Sequence, residues 1–413
     1  MKILLVHRNF PGQFRYLAPA LRKAGHNVAV LTWEGNQNPQ PLPHIKYAYE
    51  MGPTREITAS YTENALNGVA AARVAKALRD KTGEVPDVVF GIINWGETLF
   101  LREVWPEARH LGYAEFLYAT TGLDTGFDPE MSHSDFLRNL RVVARKAHLL
   151  QAAVQADALM APTKFQASTF PPEVRSKMSV IHDGVDTKRI APKPDAAFQV
   201  PEGPLLRAGD EVLTFVNRTM EPYRGFHTFM RALPQVLASR PNAQVLIVGS
   251  ETGGYGPVFS KDQTWKEVML AEVGDRLDLN RVHFLGRVSY EDFLSVLQVG
   301  RAHAYLTYPF VLSWSMMEAM SVGAHVVGSA TPPVQEIIAD GVNGTLVDFF
   351  DVDGWARTLT HALAEPEAYE ARRAAARQTI VDRYDLKSVC LPKLMDFVLS
   401  AGVRAEHGAT ATA

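Results

Sequence analysis

The stretch KILLVHRNFPGQFRYLAPALRKAGHNVAVLTW, residues 2–33, decides how the chain is read. It opens on an unbroken apolar run, KILLV, and closes on another, NVAVLTW. Runs rich in Val, Ile and Leu are those of parallel strands covered on both faces. Between them lie a loop, HRNFPGQF, and a segment with apolar residues at helical spacing, RYLAPALRKAGH, punctuated by Gly25. The whole is a strand–helix–strand unit.

The same alternation recurs down the chain. Strand-like runs appear in PDVVFGI, HLGYAEF, DALMAP and MSVIHDGV, with a long helical segment, SDFLRNLRVVARKAHLLQAAVQA, among them. A Pro-rich, weakly patterned stretch follows at 191–211, APKPDAAFQVPEGPLLRAGDE, and reads as a linker. The pattern then restarts with EVLTFVNR and continues through AQVLIVGS, VHFLGRV, AHAYLTY, HVVGS and GTLVDF, each separated by a helical segment. Strands alternating with helices imply doubly wound parallel sheets. The expected organisation is a Rossmann-like domain over 1–190, the linker, and a second Rossmann-like domain over 212–385. A helix over 386–402 is expected to return to the first domain, and 403–413 to form a frayed tail. Two such domains facing across a cleft would bind ligand at the carboxyl ends of their strands.

Length and composition agree with this division. A chain of 413 residues exceeds what one hydrophobic core usually serves. With 46% hydrophobic and 21% charged residues it reads as an ordinary globular protein. A formal charge of −3 offers no reason to expect a nucleic-acid partner. It leaves peripheral membrane association open. The single cysteine, Cys390, excludes an internal disulfide and a cysteine-based zinc site, and suits a reducing cytoplasm. The initial apolar run is too short for a signal peptide, and no window reaches the ~18 apolar residues of a membrane span.

Four motifs bear on chemistry. In TYPFVLSWSMMEAMSVGAHVVGS, residues 307–329, an apolar run crosses into a helix near Ser313, Trp314 and Ser315. A helix start carries unpaired N–H groups and a positive dipole end, which suit a phosphate. Ser315-Met-Met-Glu318 also has the form of a capping box, and on spacing alone that bland reading is preferred. Arg218 and Arg224, in FVNRTMEPYRGFHTF, fall in an expected strand-to-helix loop where guanidiniums can grip phosphate oxygens. The glycines of VGSETGGYG fit neither a dinucleotide fingerprint nor a P-loop. Asp351 and Asp353 read as helix capping, with Asp353 just before the helical GWARTLTHAL, rather than as a metal site. His182 and Asp183 show no metal-ligand spacing.

Taken in order, these segments resemble the retaining glycosyltransferases of family 4, which have the two-domain GT-B fold. The resemblance rests on the opening strand–helix–strand unit ending in Gly-His, and on IHDGVD in place of a Pro-Asn-Gly-Val-Asp signature. It rests further on the VNRTMEPYRG loop, FLGRVSYED, EAMSVGAHVVGS and VQEIIADGVNGTLVDFFD. HRNFPGQFRYLAPAL, STFPPE and TYPFVLSWSMMEAM suggest one bacterial subgroup.

The resemblance implies a nucleoside-diphosphate sugar as co-substrate, no cofactor, no metal, and transfer of a hexosyl group to an unknown acceptor hydroxyl. Arg218 and Arg224 would neutralise the departing diphosphate. Glu318 would bind the ribose hydroxyls, Ser313 to Ser315 would face the phosphates, Val288 would lie near the base, and Gly12 would let the backbone approach the donor. Two positions depart from the family pattern. Phe310 stands where a sugar-contacting glutamate is usual, and Glu115 where many members place a histidine near the reacting centre. A nucleotide-sugar 2-epimerase and a catalytically silent GT-B binding subunit are the alternatives on the same fold.

Overall fold

The computed structural model describes residues 1–50, 57–131, 136–255 and 263–400. The expected tail at 403–413 lies outside them. The described chain forms two compact units. One takes the described residues of Met1–Thr120, Ser134–Asp183 and Lys387–Ala413, the other those of Thr121–His133 and Gly184–Leu386.

The first unit holds a seven-stranded sheet made of β1 (Lys2–Val6), β2 (Asn27–Trp33), β3 (His44–Tyr47), β4 (Val88–Ile92), β5 (Arg109–Tyr113), β6 (Ala158–Ala161) and β7 (Met178–Val180). Their spatial order is 3-2-1-4-5-6-7, and every pairing is parallel. Both faces are covered, which is why these strands are apolar without alternation. In β1, Ile3 and Leu5 pack with Phe14, Leu17 and Leu21, while Leu4 and Val6 pack on the opposite side with Ala71, Ala75 and Leu101. Each such side chain contributes about 1.5–3 kcal/mol by leaving water. The helix Leu391–Ser400 lies in this unit, with Leu394 and Val398 buried in the same cluster as Leu17.

The second unit has a hairpin, β8 (Ala197–Gln199) and β9 (Leu205–Arg207), and a six-stranded sheet. Its strands are β10 (Val212–Thr219), β11 (Gln244–Ser250), β12 (Val282–Gly286), β13 (Ala302–Tyr305), β14 (His325–Ser329) and β15 (Thr345–Val347). The order is 12-11-10-13-14-15, again all parallel. Counted from its own first strand, this sheet repeats the first unit's 3-2-1-4-5-6 order. Both are Rossmann-like doubly wound sheets. The strand order reverses between β1 and β4 in one sheet and between β10 and β13 in the other. At such points the loops leaving the strands diverge and open a crevice.

Three features were not foreseen. The stretch read as a linker is ordered: the hairpin buries Phe198, Val200 and Leu206 in the core of the second unit. The short edge strand β3 carries only four residues. A 24-residue helix, Ala59–Thr82, buries Asn64, Asn67, Gly68, Ala71 and Ala75, so its inward stripe has no large apolar residues to announce it. Among the described residues no helix is long and apolar enough to cross a membrane.

Candidate active site

At the switch point of the first unit, β1 ends and His7 follows it. Burial pushes the His7 imidazole down to about 4, so the ring is neutral. Its Nδ1 accepts from the Asn9 amide at 2.9 Å, which leaves the proton on Nε2, and Nε2 donates to Gln13 Oε1 at 2.7 Å. Gln13 Nε2 in turn donates to Glu115 Oε1 at 3.4 Å, and Asn94 Nδ2 donates to Glu115 Oε2 at 2.6 Å. Asn94 comes from the short turn after β4 and Glu115 from just beyond β5. Two amide donors thereby orient one carboxylate. Gln166 fixes its backbone, donating to the Glu115 carbonyl at 2.7 Å. Nearby, Tyr113 donates to Asp183, at 3.0 Å to Oδ1.

Gly12 belongs to this network for a specific reason. Its φ is +43°, and a Cβ there would sit 2.1 Å from His7 Nε2. The glycine makes room for the histidine that orients Gln13.

The switch point of the second unit gathers Arg218, Arg224 and Phe310. Arg218 is the penultimate residue of β10, exposed, with NH1 donating to Tyr255 Oη at 3.3 Å. It lies in the strand, not in the loop where its spacing had placed it. Arg224 ends the 3₁₀ turn Pro222–Arg224 and is buried. Its NH1 donates to Thr307 Oγ1 at 2.9 Å and to the Val311 carbonyl at 2.8 Å. Phe310 is buried among Arg224, Tyr223 and Tyr255. The glycine-rich loop shapes this wall: Tyr255 N donates to Glu221 Oε2 at 2.6 Å, and a side chain at Gly254 would strike that carboxylate.

The helix Trp314–Ser321 starts beside them. Ser313 is its N-cap, accepting from Ser315 N, and Ser315 Oγ donates to the Val216 carbonyl at 3.3 Å. Two amides of this start have acceptors within the protein. Ser313 N donates to Tyr305 Oη at 2.8 Å, and Ser315 N to Ser313 Oγ at a long 3.4 Å. The capping-box reading of Ser315 and Glu318 fails, because the cap lies two residues earlier and Glu318 falls in the second turn. Glu318 is instead 6% exposed and accepts from Tyr290 Oη at 2.7 Å. Val288 is half-buried in the turn after β12, two residues before Tyr290, and packs on the main cluster of this unit. Helix capping at 351–353 holds, but Asp351 performs it, accepting from Gly354 N at 2.8 Å.

Sequence reading missed one arrangement entirely. Thr121–Met131, a loop segment folded into the second unit, presents three carboxylates to it. Asp124 accepts from Tyr223 Oη at 3.0 Å, and Asp128 from Tyr308 Oη at 2.6 Å. His227 Nε2 lies 2.9 Å from Asp128, and both are buried. Glu130 takes Arg231 through two bonds of 2.7 Å each. Asp128, Glu130 and His227 offer ligand atoms within 4.8 Å of one another. Arg231 bonds both Glu130 oxygens, and Tyr308 and His227 engage Asp128, so both carboxylates already have partners within the protein.

Residues 24–190 match the family model described as "Glycosyl transferase family 4 group", and residues 200–379 match "Glycosyl transferases group 1". A D-inositol 3-phosphate glycosyltransferase of Mycolicibacterium smegmatis is 29% identical over 229 residues, 54% of this chain and 49% of the relative. The protein of that description from Mycobacterium sp. strain JLS is 30% identical, over 54% of this chain and 48% of its own length. The chain thus spans about half the length of the curated relatives it matches. Among solved structures, sucrose-phosphate synthase from Thermosynechococcus elongatus aligns with a TM-score of 0.72 at 18% identity, over 97% of this chain and all of that one. Anabaena HepE, solved with UDP-glucose, aligns with a TM-score of 0.65 at 17% identity, over 97% and 100%. These likenesses show the fold, GT-B.

Proposed function

We propose, from the premise that the chain belongs to the glycosyltransferase family 4 group, that it moves a sugar from a nucleoside-diphosphate sugar to an acceptor hydroxyl with retention of configuration. The bond from the anomeric carbon to the diphosphate breaks and a bond from that carbon to the acceptor oxygen forms. The acceptor's proton passes to a phosphate oxygen of the leaving diphosphate. Catalysis by this route needs positioning and charge stabilisation rather than a protein nucleophile.

In this reading Arg224 and Arg218 stabilise the departing diphosphate, and the positive end of the Trp314–Ser321 helix faces it. The phosphate takes over the Ser315 amide from its weak cap bond, and Glu318 receives the ribose diol with Val288 beside the base. Two guanidiniums and a helix terminus supply the positive field, so no metal ion is required. The oriented Glu115 carboxylate meets the acceptor hydroxyl or the transferred sugar. The acceptor is a saccharide, a lipid-linked glycan or a small metabolite, and the reaction is cytoplasmic.

The observation that carries this reading is the gathering of Arg224, Ser313, Ser315 and the buried Glu318 at one switch point. Thermal-shift titration with UDP, GDP and ADP tests it, followed by release of diphosphate from the matching sugar donors. One nucleotide is expected to raise Tm, since ligand at a hundred times its Kd adds about 2.7 kcal/mol. No response to any of the three contradicts the reading. Binding without sugar release favours the silent subunit, a reading to which buried Phe310 lends support.

A further inference from the structure

Tyr290 is half-buried at the first position of the helix Tyr290–Val299, in the unit that carries Glu318. Its hydroxyl donates to Glu318 Oε1 at 2.7 Å. The ring has little freedom. It stacks on Phe293 with centroids 5.5 Å apart, and the Arg189 guanidinium lies 4.8 Å over its face while also pairing with Glu291. The backbone beneath it is fixed too. Ser289 caps the helix, accepting from Asp292 N at 3.1 Å and donating to Asp292 Oδ2 at 2.7 Å.

The Glu318 carboxylate ends a chain of three rotatable bonds, projecting from the second turn of a helix into a buried position. A ribose presents two neighbouring hydroxyls, and a carboxylate receives both only when its plane is aligned with them. Ordering a glutamate on binding costs side-chain entropy, and a hydrogen bond made beforehand removes that cost.

From these observations we infer that Tyr290 is a positioning residue for the donor ribose: its phenol holds the Glu318 carboxylate in the orientation that accepts the diol. The inference rests on the functional reading above and deepens it. Val288, Ser289 and Tyr290 are consecutive, so the turn assigned to the base and the residue that sets the ribose carboxylate move as one piece. Recognition of base and ribose are thereby joined through the Tyr290–Glu318 hydrogen bond.

Tyr290 could instead serve only to satisfy a buried carboxylate, and nucleotide discrimination separates the two roles. Isothermal titration uses whichever of UDP, GDP and ADP binds the wild-type protein, together with its 2′-deoxy and 3′-deoxy counterparts. The Tyr290→Phe variant keeps the ring and its stacking. It is expected to bind the ribonucleotide about tenfold more weakly, about 1.4 kcal/mol, and the deoxynucleotides less than twofold more weakly. Equal loss on all three, or no loss, overturns the inference while leaving the functional reading in place. Absence of nucleotide binding by the wild-type protein overturns both. A second variant guards against a folding defect. In a Glu318→Ala background, Tyr290→Phe should have no further effect on ribonucleotide affinity, whereas additive losses would overturn the coupling.

Discussion

Arg224 holds its guanidinium 5.5 Å over the Phe310 ring while one of its nitrogens bonds both Thr307 Oγ1 and the Val311 carbonyl. The cation is pinned in a buried aromatic wall before any ligand arrives. A fixed charge in a low-dielectric site stabilises developing phosphate charge more than a solvated one does. Its neighbour Arg218 is exposed, with NH1 donating to the Tyr255 hydroxyl at 3.3 Å and its guanidinium 5.7 Å from that ring.

The two arginines should therefore behave differently on substitution. Arg218→Ala is expected to lower turnover about 100-fold while changing stability by less than ~0.5 kcal/mol. Arg224→Ala should lose turnover and also about 1–3 kcal/mol, because Thr307 and the Val311 carbonyl forfeit a buried partner. Steady-state kinetics beside urea unfolding distinguish them. Undiminished turnover in Arg218→Ala would remove it from the diphosphate site.

Gly12→Ala tests the network of the first unit. The new methyl would sit 2.1 Å from His7 Nε2 at a backbone φ of +43°, so His7 must leave Gln13. Turnover should fall tenfold or more, with nucleotide affinity held within twofold and a stability loss of about 1–2 kcal/mol. An equal loss of nucleotide affinity would place Gly12 on the donor instead.

Glu97 makes the first unit sensitive to rising pH. It is fully buried, accepts from Tyr47 Oη at 2.7 Å, and burial raises its carboxyl to about 7, against lesser opposition from the Tyr47 bond and Arg8. A folded-state value above the unfolded one means the stabilisation is complete below the usual carboxylate range and is lost as pH climbs through 7. Glu97→Gln should raise stability at pH 8 by on the order of 2–3 kcal/mol and change it little at pH 4. Denaturant unfolding at the two values measures this. A gain independent of pH would contradict it.

Asp128 acts in the opposite sense in the second unit. Burial opposes its ionisation, but the bonds from His227 and Tyr308 outweigh that and hold its carboxyl below the ordinary value. A depressed folded-state value gives stability that is present above the unfolded value and lost as pH falls through the folded one. Asp128→Asn should cost about 3 kcal/mol at pH 7, the loss narrowing as the solution is acidified below about 4. The pH dependence of unfolding in both proteins checks this, and parallel curves would refute it.

The sheets were legible because buried parallel strands leave apolar runs that need no knowledge of their partners. Strand β1 shows this, since each of Ile3, Leu4, Leu5 and Val6 is buried. The helix Ala59–Thr82 and the 197–207 hairpin escaped because small residues and prolines carry weak periodicity. Arg224, Glu318 and the serine-rich helix start were each picked out by local sequence and lie in one unit, but the Tyr290 bond to Glu318 comes from a residue 28 positions away. Asp128 and Tyr308 are 180 positions apart, and no local pattern in an Asp- and Gly-rich loop reports such a partner. Capping spacing also misled at Ser315, since an S-x-x-E pattern says nothing about where the helix begins.

A crystal structure of the protein with the nucleoside diphosphate that binds it tests the central claim most directly. The account predicts phosphate oxygens within ~3 Å of Arg224 and the Ser315 amide, and both ribose hydroxyls on Glu318 with Tyr290 still bonded to it. A nucleotide seated elsewhere, with Arg224 and Glu318 untouched, would contradict it.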